Sequence, residues 1–381
     1  MGLRSRAMDP FGFDLVRIEW LRGKPGGKWH KSPGLLAAWV ADMDFPAPPV
    51  VVDALQRIVD SRDLGYPSYA PGPSPARTTF VDRAAVRYGW RVEASDCIEL
   101  NDVIQGVQAV LHLCTGAGDG VVMHVPAYPP FLHTAHDNHR RVVPVRSFDV
   151  EALRAAVVDS GAKVVLLCHP HNPTGHVFGE AELRGIAALA DELDLLLIAD
   201  EIHADLTYAP AIHQPVALFA PDRTVTLHAA SKAFNLAGLR YAVMHVGPPW
   251  LRDRLDALPN HLLGSVNVFG AEAARVVWAD GDEWLAAVVA HLDGQRMLLG
   301  ELLAEHLPDV RYTPPAATYL AWLDCRASGF GDDPSQTFLR RGVRLSEGPN
   351  FGDEGLGHAR LNFATSSAML RDIVVGMARV V

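Results

Sequence analysis

The sequence predicts an α/β protein: a mainly parallel, seven-stranded-type sheet with helices on both faces, followed by a smaller α+β domain. Three observations lead there. Short, near-continuous apolar runs recur with helix-spaced segments between them, the pattern of parallel strands buried on both faces. Each run ends in a cluster of polar residues, on the carboxyl edge of the sheet where such folds bind ligands. Beyond about residue 250 the alternation gives way to long helical stretches and isolated strand-like runs.

Residues 1–34 are polar and irregular and end in Gly23-Lys24-Pro25-Gly26-Gly27-Lys28-Trp29, which reads as an arm packing on something else. Trp39 to Pro46 is a short apolar run interrupted by Asp42 and Asp44, two candidate caps or turn formers. After Pro48-Pro49 the spacing predicts a helix over Val50–Val59. Leu64-Gly65-Tyr66-Pro67-Ser68-Tyr69 is a turn carrying two tyrosines.

The strand–helix alternation then begins. Ile98-Glu99-Leu100 is a strand, and Asn101-Asp102 is the N-cap region of an apolar helix from Val103 to Cys114. Gly120 to Pro126 is a strand with exit loop Ala127-Tyr128-Pro129-Pro130. Lys163 to Cys168 ends in His169-Pro170-His171-Asn172-Pro173-Thr174-Gly175, and Glu180 to Leu193 is a helix. Leu195 to Ala199 leads into Asp200-Glu201-Ile202-His203, and Thr224 to Leu227 delivers Ser231-Lys232. Ala271 to Leu307 is helical with a break at Asp280-Gly281-Asp282. Thr318–Leu323 and His358–Phe363 read as strands, Pro334–Arg341 and Ala368–Val380 as helices.

Composition excludes several classes. With 381 residues, 49% hydrophobic and 20% charged, the chain suits two domains or one large α/β domain with additions. A net charge of -10 argues against a general binder of nucleic acid or anionic membranes. Cys97, Cys114, Cys168 and Cys325 form no CxxC pair, which fits a reducing compartment. No apolar run approaches the roughly 18 residues of a membrane helix, and Met1–Arg6 lacks an apolar signal core. The expectation is a cytoplasmic protein. His124, His169 and His171 suggest a metal, but no carboxylate completes a ligand set, so none is expected.

Five polar residues, Tyr128, Asn172, Asp200, His203 and Lys232, fall just after strand ends. Lysine is scarce here: of 34 basic residues only Lys24, Lys28, Lys31, Lys163 and Lys232 are lysines. An amine partly removed from water is a nucleophile, an imine-former or a proton carrier. A cofactor with a phosphate, an aromatic ring and a carbonyl would use this set. The phosphate would sit at the helix N-terminus near Val103 and Ile104, with Arg240 and Ser231 adding charge and a hydroxyl. Tyr128 would stack on the ring, an aspartate would hold a protonated ring nitrogen, and Asn172 and His203 would bond a ring oxygen. Lys232 would form an imine with the aldehyde. These are the requirements of pyridoxal 5'-phosphate (PLP).

Asn172-Pro173-Thr174-Gly175, Asp200-Glu201-Ile202-His203 and Ser231-Lys232 with Gly238 and Arg240 resemble, in order, the motifs of fold-type I aminotransferase-like PLP enzymes of class I/II. A narrower resemblance joins Val40 to Phe45, Leu64-Gly65-Tyr66, Pro126-Ala127-Tyr128, Lys232 to Asn235, Thr318 to Asp324 and Arg360-Leu361-Asn362. Together these look like the MalY/PatB cystathionine β-lyase branch, from about Phe11 to Asn362. The resemblance implies Lys232 as Schiff-base lysine, Asp200 as pyridinium partner and Tyr128 as stacking ring. Asn172 and His203 would flank the ring oxygen. Tyr66 would reach the phosphate or substrate of a neighbouring subunit, hence a homodimer with shared sites. Arg360 would clamp the substrate carboxylate, and Tyr319 is a further candidate substrate contact. It also implies an arm over 1–45 joining the small domain, a PLP-binding large domain over 46–272 and a small domain over 273–381. Four positions depart from the pattern. Ala229 lacks the usual phosphate hydroxyl, Ser366-Ser367 replace a Pro-Arg pair, and Asp102 sits where it would repel the phosphate unless its side chain caps outward.

The leading expectation is a PLP-dependent carbon–sulfur β-lyase that cleaves an S-substituted cysteine to thiol, pyruvate and ammonia. An aminotransferase differs only in the fate of the carbanion once the α-proton has been removed. A biosynthetic enzyme decarboxylating or deaminating a cysteine conjugate is a third reading. A regulator fused to a DNA-binding module is disfavoured: about 40 residues precede Asp42, without a helix-turn-helix pattern.

Overall fold

The computed structural model describes residues 9–67, 69, 72–259 and 261–379. Ser68 of the tyrosine turn, Val380 of the last predicted helix and the initial segment 1–8 lie outside the described residues. The strands, in chain order, are β1 (Leu36–Ala37), β2 (Cys97–Leu100), β3 (Gly120–His124), β4 (Arg141–Val145), β5 (Val164–Cys168), β6 (Leu196–Asp200), β7 (Thr224–His228), β8 (Ala242–Val246), β9 (Arg311–Tyr312), β10 (Leu320–Asp324), β11 (Val343–Arg344), β12 (Ser346–Glu347) and β13 (His358–Asn362).

Seven of them form one sheet in the order β2-β8-β7-β6-β5-β3-β4. β8 runs antiparallel to both neighbours, and the other pairings are parallel. Every residue of β3, β5, β6, β7 and β8 is buried, as expected when helices cover both faces. Strand alternation sends Ile198 into a core with Val107, Leu111 and Leu227. Leu197 and Ala199 point the other way, toward Leu183, Ile186 and Ala190.

The helix Val103–Cys114 lies tight on the sheet because residue 106 is glycine. A Cβ there would stand 2.3 Å from Leu227 and 2.9 Å from Leu100. This contact sets the helix start beside the loop that follows β7. The loop after β5 is held in the same way: Gly175 has φ +72, and a Cβ would stand 2.3 Å from Pro315.

A second, antiparallel sheet has the order β12-β13-β10-β9. It packs with the helices Asp282–His306, Pro334–Arg340 and Ser367–Met377. Near the N-terminus, β1 pairs in parallel with β11, Leu36 opposite Val343. Two features differ from expectation. The N-terminal segment is not irregular throughout, since Ile18–Gly23 and Gly27–His30 are helical. Strands β4 and β8 join the large sheet without a clear pattern in the sequence to announce them.

Candidate active site

The carboxyl edge of the large sheet opens into a cleft of about 750 Å³, part of it solvent. Val103, Ile104, Tyr128, Asn172, Asp200, His203, Ser231, Lys232 and Arg240 all line it, so the structure brings together nine of the residues singled out from sequence. Ala41, Cys168, Ile202 and Ala229 complete much of the wall.

Asp200 closes β6 and is 2% exposed. Burial pushes its carboxyl up to about 7, although its Oδ1 accepts the Ile202 amide at 3.0 Å and Lys232 favours its charge. An anion this poorly solvated gains strongly from a cationic hydrogen-bond donor in the cleft. Lys232 extends from the loop after β7 and donates from Nζ to the Ala41 carbonyl at 2.8 Å. Burial lowers its pKa, while Asp42 and Asp200 act in the opposite sense. His203 is buried and held neutral, its pKa lowered to about 3 by burial, and its Nδ1 has no partner among the described residues.

At the end of the cleft where the helix begins, Asp102 is the N-cap of Val103–Cys114: Oδ1 accepts the Gln105 amide at 2.7 Å. That leaves the first amides of the helix, at Val103 and Ile104, without helical partners. The other carboxylate oxygen of Asp102 pairs with Arg240. The aspartate therefore caps as anticipated and also engages the nearby cation. Ala229 is buried on the same wall and carries no hydroxyl.

Arg360 and Tyr319 stand behind the wall. Arg360 Nη1 donates to Asn172 Oδ1 at 3.0 Å, and Nη2 donates to the Trp39 carbonyl and Ser346 Oγ, both at 3.1 Å. Its buried Nε has no partner among the described residues. Tyr319 donates its hydroxyl to the Ala41 carbonyl at 2.9 Å. Tyr66 is not in the cleft and is fully exposed.

Sequence reasoning missed the device that closes one side. The segment Trp39–Phe45 is strapped down through its backbone carbonyls. Asn362 Nδ2 donates to Val40 O (2.6 Å) and Asp42 O (2.7 Å), while Asn235 Nδ2 donates to Met43 O (3.1 Å) and Phe45 O (2.9 Å). Asn235 also accepts the Met43 amide at 3.0 Å, and Ser346 Oγ donates to Trp39 O. Carbonyl acceptors leave no trace in side-chain identity; Asn235 and Asn362, which end the Lys232 and Arg360 motifs, were the only signal.

The donor set suits a planar ring with a basic nitrogen, an aldehyde and a phosphate. A buried carboxylate, a desolvated amine, an unpartnered imidazole nitrogen and a helix start with a guanidinium face one cleft, the fittings of a PLP-binding α/β enzyme. Comparison with known proteins agrees. The profile of the family "Aminotransferase class I and II" matches residues 41–376. Cystathionine beta-lyase PatB of Bacillus subtilis is 30% identical over 92% of this chain and 95% of its own. The cystathionine beta-lyase of Corynebacterium glutamicum is 32% identical over 93% and 96%. The PLP-bound C-S lyase of Staphylococcus hominis superposes with a TM-score of 0.89 at 27% identity, covering 96% of this chain and 97% of that one. The chain belongs to the class I and II aminotransferase family, in its MalY/PatB cystathionine β-lyase branch.

Proposed function

We propose that the protein is a PLP-dependent carbon–sulfur β-lyase cleaving an S-substituted L-cysteine, with uptake of one water, to a thiol, pyruvate and ammonia. The observation that carries the chemistry is the convergence of Lys232, Asp200 and Asn172, backed by Arg360, on one cleft. The relatives named as cystathionine or C-S lyases support elimination over transamination.

Bound in this cleft, PLP supplies an electron-withdrawing ring that stabilises negative charge on the substrate's α-carbon. Lys232 would hold the aldehyde carbon, and Asp200 would keep a proton on the ring nitrogen. Tyr128 would cover the ring face; Asn172 and His203 would bond the ring oxygen. The amides of Val103 and Ile104, with Ser231 and Arg240, would hold the phosphate. Lys232, its pKa lowered by burial, takes the α-proton and can pass it to the departing sulfur. Arg360 would grip the substrate carboxylate from behind the wall by turning its planar fork from Trp39 and Ser346, and its contact with Asn172 ties that grip to the cofactor pocket. Tyr319 acts through Ala41, fixing the wall against which Lys232 rests.

A homodimer with shared sites is part of the proposal. Tyr66 is fully exposed, as is much of Leu64, and lines no part of its own cleft, which leaves it free to serve a neighbour's site. A division into an arm (1–45), a large domain (46–272) and a small domain (273–381) is proposed as well, with the presence of two main sheets as its support. No described helix is long and apolar enough to cross a membrane, and a cytoplasmic location is proposed with it. The test is incubation of the PLP-loaded enzyme with a series of S-substituted cysteines. Thiol release from several of them supports the reading; release from none rejects it.

A further inference from the structure

The strand expected from Thr318 begins only at Leu320, because Thr318 turns the chain with φ +71. A left-handed conformation is strained for a β-branched residue, and it persists only where the surroundings enforce it. Here they do. Thr318 is fully buried, and each of its polar groups is tied down. Its amide donates to the Leu206 carbonyl at 2.8 Å, its carbonyl accepts the hydroxyl of buried Tyr208, and its Oγ1 accepts the Leu320 amide at 3.2 Å. Ala317 bridges antiparallel to Thr207, and the Tyr208 amide donates to the Ala316 carbonyl at 2.9 Å. The turn is thus clamped onto the chain that leaves the Asp200–His203 motif, where the Leu206 amide donates to the His203 carbonyl at 2.9 Å.

This clamp leads to a functional atom. Tyr319 follows the turn, its carbonyl accepting the Phe363 amide at 3.0 Å and its ring edge-on to His203 at 6.4 Å. The Tyr319 hydroxyl donates to the Ala41 carbonyl at 2.9 Å, the same oxygen that accepts Lys232 Nζ at 2.8 Å. Ala41 and Lys232 both line the cleft, whereas Thr318 does not. To take the α-proton, Lys232 must first be displaced from the cofactor by the substrate's amine. Its four-carbon stem is flexible, so an amine at that stage needs a fixed acceptor. An amine that gives one N–H to Ala41 keeps its lone pair for the cleft, in a direction the carbonyl sets.

We propose that Thr318 is a positioning residue for the Lys232 base: its left-handed turn seats the Tyr319 hydroxyl on Ala41, and that carbonyl aims the amine at the substrate's α-proton. The C–H bond breaks, its proton joins the amine nitrogen, and its electron pair stays with the α-carbon. The inference rests on the β-lyase reading, with Lys232 as the base, and adds to it a residue that touches neither substrate nor cofactor.

The test uses PLP-loaded enzyme and S-ethylcysteine carrying hydrogen or deuterium at the α-carbon. Thr318→Val keeps the side-chain shape, Thr318→Ala relieves its crowding, and both lack the Oγ1 bond that holds the turn. Either should lower kcat about tenfold by misaligning the proton transfer. KM should change less than about twofold, and the α-deuterium effect on kcat should rise. Loss of folded enzyme alone would lower the rate without moving the isotope effect. Tyr319→Phe should show the same signature, and combining it with Thr318→Ala should cost no more than either change alone. Thr318→Ser, which keeps the hydroxyl, should restore both kcat and the isotope effect. Unchanged kcat in Thr318→Ala, an unmoved isotope effect, or losses that multiply in the double variant overturn the proposal while leaving the lyase reading intact. A wild type that releases no thiol rejects the lyase reading, and this inference with it.

Discussion

Lys232 sits in opposing fields. Burial disfavours its ammonium, while Asp42 and Asp200 favour it. Burial is the largest of these effects, so the amine is available as a base at lower pH than a solvated lysine. Lys232→Ala should abolish turnover, a loss of more than about 10³-fold, while PLP remains bound through the other contacts, read as retained absorbance after gel filtration. Undiminished turnover would remove the lysine from the mechanism. Asp200→Asn swaps a charged acceptor for a neutral one in a buried site. Activity should fall by on the order of 10²-fold or more, with a changed absorbance spectrum of the bound cofactor. At this scale the cleft positions of Lys232, Asp200, Asn172 and Tyr128 were legible from strand-end position and residue type, whereas Tyr66, Arg360 and Tyr319, expected at the same site, do not line the cleft. The sequence was silent on the Ala41 carbonyl, which receives both Lys232 and Tyr319, because any residue there offers the same oxygen.

Among elements, the helix Val103–Cys114 and its cap decide the charge at the end of the cleft proposed to take the phosphate. Asp102 compensates Arg240, so the anion that would repel the phosphate and the cation that would attract it form one feature. Asn is as good an N-cap as Asp, so Asp102→Asn should keep the helix while freeing the guanidinium, and PLP should bind more tightly. Arg240→Ala should weaken PLP binding by roughly tenfold, the scale of one charge-assisted contact. Titration of the apoprotein with PLP reads both, and weaker binding by Asp102→Asn would contradict this assignment. Strands β5, β6 and β7 were readable as near-continuous apolar runs because both faces are covered. β4 escaped notice because it is a partly exposed edge strand with Pro144 inside it, and β8 because its antiparallel course follows no helical crossover. The short N-terminal helices were hidden by Lys24-Pro25-Gly26, whose turn chemistry outweighs their few apolar residues.

For the molecule as a whole, buried histidines set the response to acid. His124, His228 and His245 are held down to about 4 and His169, His171 and His203 to about 3, all chiefly by burial. Below the ordinary histidine pKa the unfolded chain binds protons that the folded chain refuses, so stability falls as pH drops from about 6.5 toward 4. Asp200, raised to about 7, works the other way over much of that range, but it is one group against six. Glu201, raised to about 7, and its partner His213, lowered to about 3, both chiefly by burial, act in opposite senses over this range and offset each other. The melting temperature should therefore be lower at pH 5 than at pH 7.5 in a thermal-shift series; a rise on acidification would contradict this. The parallel sheet was legible in the sequence, whereas the joining of β1 to β11 and the strap across the cleft depend on long-range pairing that no local pattern encodes.

The most direct test of the central claim is the stoichiometry of a single reaction. Purified PLP-loaded enzyme is given S-ethylcysteine, and thiol, pyruvate and ammonia are measured with and without an added keto acid. Elimination predicts the three products in equal amounts and at a rate indifferent to the keto acid. Turnover that requires the keto acid and releases no thiol would make the protein an aminotransferase and contradict the account.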